Sequence, residues 1–136
     1  MFTGRSHVIP DFARKIILLR QDPFMILGDG CQTRSFTDIR DIAKGFFLAA
    51  TIEGVEDTDF NIGSSEEITI NLLADKMFGI SGFHPNDFIF KDSFVMDVRR
   101  RVPDSSKASR LLGWRQMYSL DDSIKDYLDW YKGVIL

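Results

Sequence analysis

The chain has 136 residues, 44% hydrophobic and 27% charged, with 12 phenylalanines, which is the profile and the apolar content of one ordinary domain. Its formal charge of -3 argues against general nucleic-acid binding, which needs a net basic surface. The single cysteine, Cys31, excludes an internal disulfide. No apolar run approaches the roughly 20 residues of a membrane span, and Met1 to His7 lacks the apolar core of a secretory signal, so a cytoplasmic setting is expected.

In chain order, Ile9 to Arg20 reads as a helix, with Pro10 suited to its first turn and Ile9, Phe12, Ile16 and Leu19 at helical spacing. Phe24 to Leu27 and Arg34 to Thr37 read as a pair of short strands about the Asp29-Gly30 turn. Asp38 to Thr51 is the next helix, capped by Thr37 or Asp38, with Ile39, Ile42, Ala43, Phe46 and Phe47 as its apolar stripe. Asp59 to Gly63 and Glu67 to Ile70 read as short strands, and Asn71 to Phe78 as an amphipathic helix that Gly79 and Gly82 help to stop. Phe88 to Lys91 is a strand and Asp92 to Val102 an irregular charged stretch. Asp104 caps a helix over Ser105 to Leu112 that Gly113 ends, with Trp114 packing back on it. The last helix runs from about Leu120 to Lys132. The expected fold class is α/β, a mixed α+β lobe of several helices and short strands.

Two cationic segments carry the functional signal. Gly28 to Phe36 places a tight turn just before Arg34, so a planar, permanently charged fork stands near a fixed backbone, an arrangement suited to phosphate. Arg99-Arg100-Arg101 comes later, followed by Val102-Pro103-Asp104. Other chemistries find little support. His7 and His84 stand far apart with no cysteine nearby, so no metal site is expected. Cys31 shows no base or orienting group for nucleophilic work. Glu66 and Glu67 are adjacent, so they point apart and do not suit glycosidase chemistry.

Gly28-Asp29-Gly30-Cys31-Gln32-Thr33-Arg34-Ser35-Phe36 with Asp41, Ser6 to Pro10, Phe60 to Ser64, Arg100 to Asp104, Leu111 to Trp114 and the Tyr127 to Tyr131 helix resemble, in order, the C-terminal lobe of the extended short-chain dehydrogenase/reductases. This is the NAD-dependent epimerase/dehydratase family acting on nucleotide sugars. The resemblance covers nearly the whole chain. It implies a single substrate-binding lobe over residues 1–136, without the Rossmann core that holds NAD(P) in a complete family member. No G-x-x-G-x-x-G or G-x-G-x-x-G occurs, and positions 122, 131 and 135, four after Tyr118, Tyr127 and Tyr131, are Asp, Tyr and Ile rather than Lys. No catalytic residue, no cofactor-binding residue and no metal ligand is therefore assigned to this chain.

The same resemblance implies that Arg34 and Arg101 contact the diphosphate of a nucleotide sugar, and that His7, Val8 and Ile9 lie near the nucleotide, as in GDP-fucose synthase-like relatives. Asp38 stands where relatives often carry an aromatic residue, and Arg40 where an acidic or small one is common. The implied partners are a nucleotide diphosphate sugar and the missing Rossmann lobe or a partner chain. Phe46, Phe47 and Phe88 to Phe90 are candidates for an apolar surface through which the lobe self-associates. The rival expectation is a stand-alone, non-catalytic nucleotide-binding or protein-interaction module derived from that lobe.

Overall fold

The computed structural model describes residues 7–92 and 97–135. The described residues fall into two compact units. One is drawn from 7–32, 69–92, 97–98 and 121–135, the other from 33–68 and 99–120.

The first unit is built around phenylalanine. Helix α1 (Val8–Ala13) continues directly into a wider, π-wound stretch, Arg14–Leu18, where the Leu19 N–H reaches back five residues to the Arg14 carbonyl. Strand β1 (Phe24–Leu27) pairs in parallel with β4 (Phe88–Lys91), Phe24 opposite Phe88 and Leu27 opposite Lys91. Phe24, fully buried, meets Phe12 and Phe78 edge to face at 5.1 and 4.9 Å, the arrangement the ring quadrupoles favour. Helix α3 (Ile70–Ser81) buries Leu73, Ala74, Met77 and Phe78, and α5 (Leu120–Ile135) buries Ile124, Leu128 and Tyr131. Lys15 is 4% exposed, yet its charge is matched: Nζ lies 2.5 Å from Asp11 and donates to the Met25 carbonyl at 2.8 Å.

The second unit holds α2 (Ile39–Thr51), α4 (Ser106–Leu112) and a three-stranded sheet. The sheet order is β3 (Glu67–Thr69), β2 (Thr33–Ser35), β5 (Arg100–Arg101), and β2 and β5 run parallel. Ala108, Leu112 and Trp114 form its core, with Leu48, Ala49, Ile52, Phe60 and Ile62 against them. Asp41, 1% exposed, ties this unit together. Its carboxylate accepts the Met117 N–H at 3.0 Å and the Tyr118 N–H at 3.2 Å, while its carbonyl accepts the Trp114 indole N–H at 2.9 Å.

A mixed α/β fold with several helices and small sheets is what the structure shows, but several local expectations change. Phe24–Leu27 and Thr33–Ser35 do not pair with each other: each takes a parallel partner more than 60 residues away, which turn chemistry cannot reveal. Asp59 to Gly63 forms no strand. Its polar groups go to the entry of α4 instead, the Asn61 amide to the Asp104 carbonyl and the Gly63 N–H to the Ser105 hydroxyl. The stretch expected to be irregular contains β5. Gly79 lies within α3, and Gly82, at φ 70°, ends it. Helix α2 turns its predicted stripe outward: Ile39, Phe46 and Phe47 are 75%, 72% and 59% exposed, while Asp41 and Gly45 are buried.

Candidate functional site

The Gly28 to Gln32 turn belongs to the first unit and Arg34 to the second. The turn is closed by its own side chains. Asp29 accepts the Cys31 N–H at 2.8 Å, and the Gln32 amide donates to the Leu27 carbonyl at 2.7 Å. Gly30 has φ 71°, and a Cβ there would stand 1.8 Å from the Asn71 amide oxygen. The close approach that a glycine permits is therefore already filled by protein. These residues do not fit a dinucleotide, whose pyrophosphate needs glycine backbone left open to it at a helix N-terminus.

Arg34 takes its position from β2. In the register of the parallel pair, Thr33 stands opposite Arg100 and Arg34 opposite Arg101. Paired residues of neighbouring strands share a face and successive residues alternate, so the two arginines named from the sequence leave the same face side by side. Arg34 is half-buried and donates to the Thr33 carbonyl at 2.7 Å. Arg101 is exposed. A phosphate has oxygens enough to accept charge-assisted bonds from two such forks.

The opposite face of the same ladder is neutralised internally. Glu67 on β3 accepts the Thr33 hydroxyl at 2.5 Å and both Nε and Nη2 of Arg100, at 3.0 and 2.9 Å. The Thr33 hydroxyl first, and then Arg100, hold the Glu67 carboxyl below its ordinary value of 4.5. In the sequence Arg100 is one of three consecutive arginines and Glu67 a carboxylate next to Glu66. Nothing in the residue order marks the pair, because it depends on which strands become neighbours.

The other candidates are placed as follows. His7 is exposed and Val8 and Ile9 half-buried at the start of α1, in the first unit. Asp38 and Arg40 explain each other: Arg40 forks onto Asp38 with two 2.8 Å bonds and lays its guanidinium 3.7 Å from the Tyr118 ring centroid. Asp38 also caps α2, accepting the Arg40 N–H at 2.8 Å. One cleft of the second unit, of about 360 Å³, is lined by Ser64, Pro103, Ser105, Trp114 and Arg115 among others, and neither Arg34 nor Arg101 lines it. Among the described residues no group of three or more His, Cys, Asp or Glu is placed to hold a metal ion, and no helix is long and apolar enough to cross a membrane.

The family profile described as GDP-mannose 4,6 dehydratase matches residues 3–127, most of the chain. This chain belongs to the GDP-mannose 4,6-dehydratase family. It is a C-terminal-type region of the NAD-dependent epimerase/dehydratases, the extended short-chain dehydrogenase/reductases. Among curated proteins it is 38% identical over 103 residues to UDP-glucuronic acid decarboxylase 2 of Arabidopsis thaliana, covering 75% of this chain and 22% of that one. It is 32% identical over 132 residues to UDP-glucuronic acid decarboxylase 1 of the same plant, covering 96% and 29%. Among solved structures it superimposes on a UDP-glucose 4-epimerase of Thermotoga maritima in complex with UDP-glucose, with TM-score 0.87 and 26% identity over 98% of this chain and 41% of that one. It also superimposes on a UDP-glucuronic acid 4-epimerase of Bacillus cereus in complex with UDP-glucuronic acid and NAD, with TM-score 0.86 and 28% identity over 95% and 40%. The chain thus spans less than a third of these curated relatives and about two fifths of these structures. The family is one of nucleotide-sugar enzymes.

Proposed function

We propose that this chain is a nucleotide-sugar-binding lobe, with Arg34 and Arg101 as the two arms that hold the diphosphate. The observation that carries the reading is their register: two arginines from segments some 65 residues apart in sequence stand opposite one another on parallel strands. The ligands of the two superimposed structures, UDP-glucose and UDP-glucuronic acid, support a nucleoside diphosphate as the anion.

The lobe is not catalytic by itself. It supplies binding and orientation: two forks fix the phosphates, and the sugar beyond them is held in one place. In a complete family member a second lobe holds NAD(P), which takes up and returns hydride when bound. Exposed Ile39, Phe46 and Phe47 on α2 and Phe88 to Phe90 on β4 supply apolar surface for that lobe or a partner chain.

Titration of the chain with UDP, GDP, CDP and dTDP by calorimetry tests the reading. Saturable binding of at least one, weakened in Arg34→Ala, is expected. A charge-assisted bond is worth roughly 1.5–3 kcal/mol, so the loss is about 10- to 150-fold. Absence of heat with all four at millimolar concentration contradicts it.

A further inference from the structure

We propose that Glu67, Thr33 and Arg100 form a clamp across the back of the sheet that sets the spacing of Arg34 and Arg101 on its front. This inference rests on the reading of the two arginines as anion-binding arms and assigns the residues that position them.

The sheet order β3-β2-β5 puts Glu67 and Arg100 on the two outer strands with Thr33 between them. The Glu67 carboxylate spans the middle strand. Oε1 accepts from the Thr33 hydroxyl at 2.5 Å and from Arg100 Nε at 3.0 Å, and Oε2 accepts from Nε at 3.1 Å and Nη2 at 2.9 Å. A guanidinium forked onto both oxygens of a carboxylate fixes direction as well as distance, which a single point contact does not.

Strand β5 needs such a tie. It is two residues long, exposed, and joined to β2 in a parallel ladder, the weaker pairing per residue. A backbone bond that secures it runs from the Thr33 N–H to the Arg99 carbonyl, at 2.9 Å. Because neighbours along a strand face opposite ways, holding Arg100 and Thr33 from behind fixes where Arg101 and Arg34 emerge in front. Two charges and a hydroxyl behind the sheet thus serve two charges in front of it. They are positioning residues and do not touch the anion.

The test uses the full chain and three readouts: hydrogen exchange of the Thr33 amide, UDP affinity by calorimetry, and thermal midpoint. In Glu67→Gln, the Thr33 amide is expected to exchange about ten times faster and UDP affinity to fall about five-fold, since one strong fork is exchanged for a weak neutral bond. The charge-reversed pair Glu67→Arg with Arg100→Glu, which restores an ion pair across the same gap, is expected to recover most of both losses. A Glu67→Gln variant whose thermal midpoint falls while UDP affinity stays within two-fold of the parent overturns the proposal, and so does an unchanged Thr33 amide. The underlying reading is tested separately: if Arg34→Ala and Arg101→Ala leave UDP affinity unchanged, the reading fails, and the clamp positions nothing.

Discussion

Arg34 and Arg101 face one another across a parallel strand pair, residue for residue in register. Two arginines from distant segments can stand side by side because a parallel ladder can join any two segments, however long the chain between them. Here that chain includes α2, β3, α3 and β4. The pairing brings two local signals, each weak by itself, to adjacent positions of one sheet.

The back of that place has a defined pH response. Glu67 has a folded pKa below its ordinary value of 4.5, the Thr33 hydroxyl being the first cause and Arg100 the second. Its contribution to stability is therefore fully present above the unfolded pKa and is lost as pH falls through the folded one. Asp104, lowered first by the Ser106 N–H at the entry of α4, acts with the same sign. Thermal midpoints measured from pH 6 down to about pH 3 are expected to fall below about pH 4.5, with a shallower fall in Glu67→Gln. Parallel curves for the two proteins count against the ion pair.

Asp41 sets the stability of the second unit. It is buried, its carboxylate takes two backbone N–H groups, and its main chain takes the Trp114 indole. Asp41→Ala leaves the Met117 and Tyr118 N–H groups without their acceptor, and a loss of about 2–4 kcal/mol is expected. Urea unfolding monitored by tryptophan fluorescence checks this. A loss under about 0.5 kcal/mol shows that solvent replaces the carboxylate.

Gly30 is the least replaceable residue of the turn. Alanine there must adopt φ 71° and displace the Asn71 amide, so Gly30→Ala is expected to cost about 1–3 kcal/mol. Asn71→Ala in the Gly30→Ala background relieves only the steric part. Unfolding midpoints of the single and double variants separate strain from crowding, and identical midpoints for parent and Gly30→Ala remove both.

The outward face of α2 is expected to drive self-association of the chain. Ile39, Phe46 and Phe47 stand exposed on one helix. Sedimentation at rising concentration should show a mass increase, diminished in Phe46→Asp. A sharp monomer at all concentrations in the parent chain contradicts this.

How much of this could be read in residue order differs between elements. Helices α2 to α5 announce themselves by apolar spacing and three of them also by an end: Asp38 before α2, Gly82 after α3, Gly113 after α4. Strand partners do not, because β2 finds β5 through the packing of segments far apart in sequence. The stripe of α2 was legible as apolar but not as outward-facing: periodicity says which residues share a face, not whether anything in this chain covers it. Arg34 and Arg101 were reached through family motifs. Glu67 was not, since a carboxylate three strands wide in its reach looks, in sequence, like any surface glutamate.

A double-mutant cycle on UDP binding tests the paired role of Arg34 and Arg101 most directly. If both grip one diphosphate, Arg34→Ala and Arg101→Ala each weaken UDP by about 10-fold or more, and the double variant loses less than the product of the two, because removing one arm lets the anion shift away from the other. Losses that multiply exactly as independent sites do, or affinity unchanged in either single variant, contradict a shared clamp.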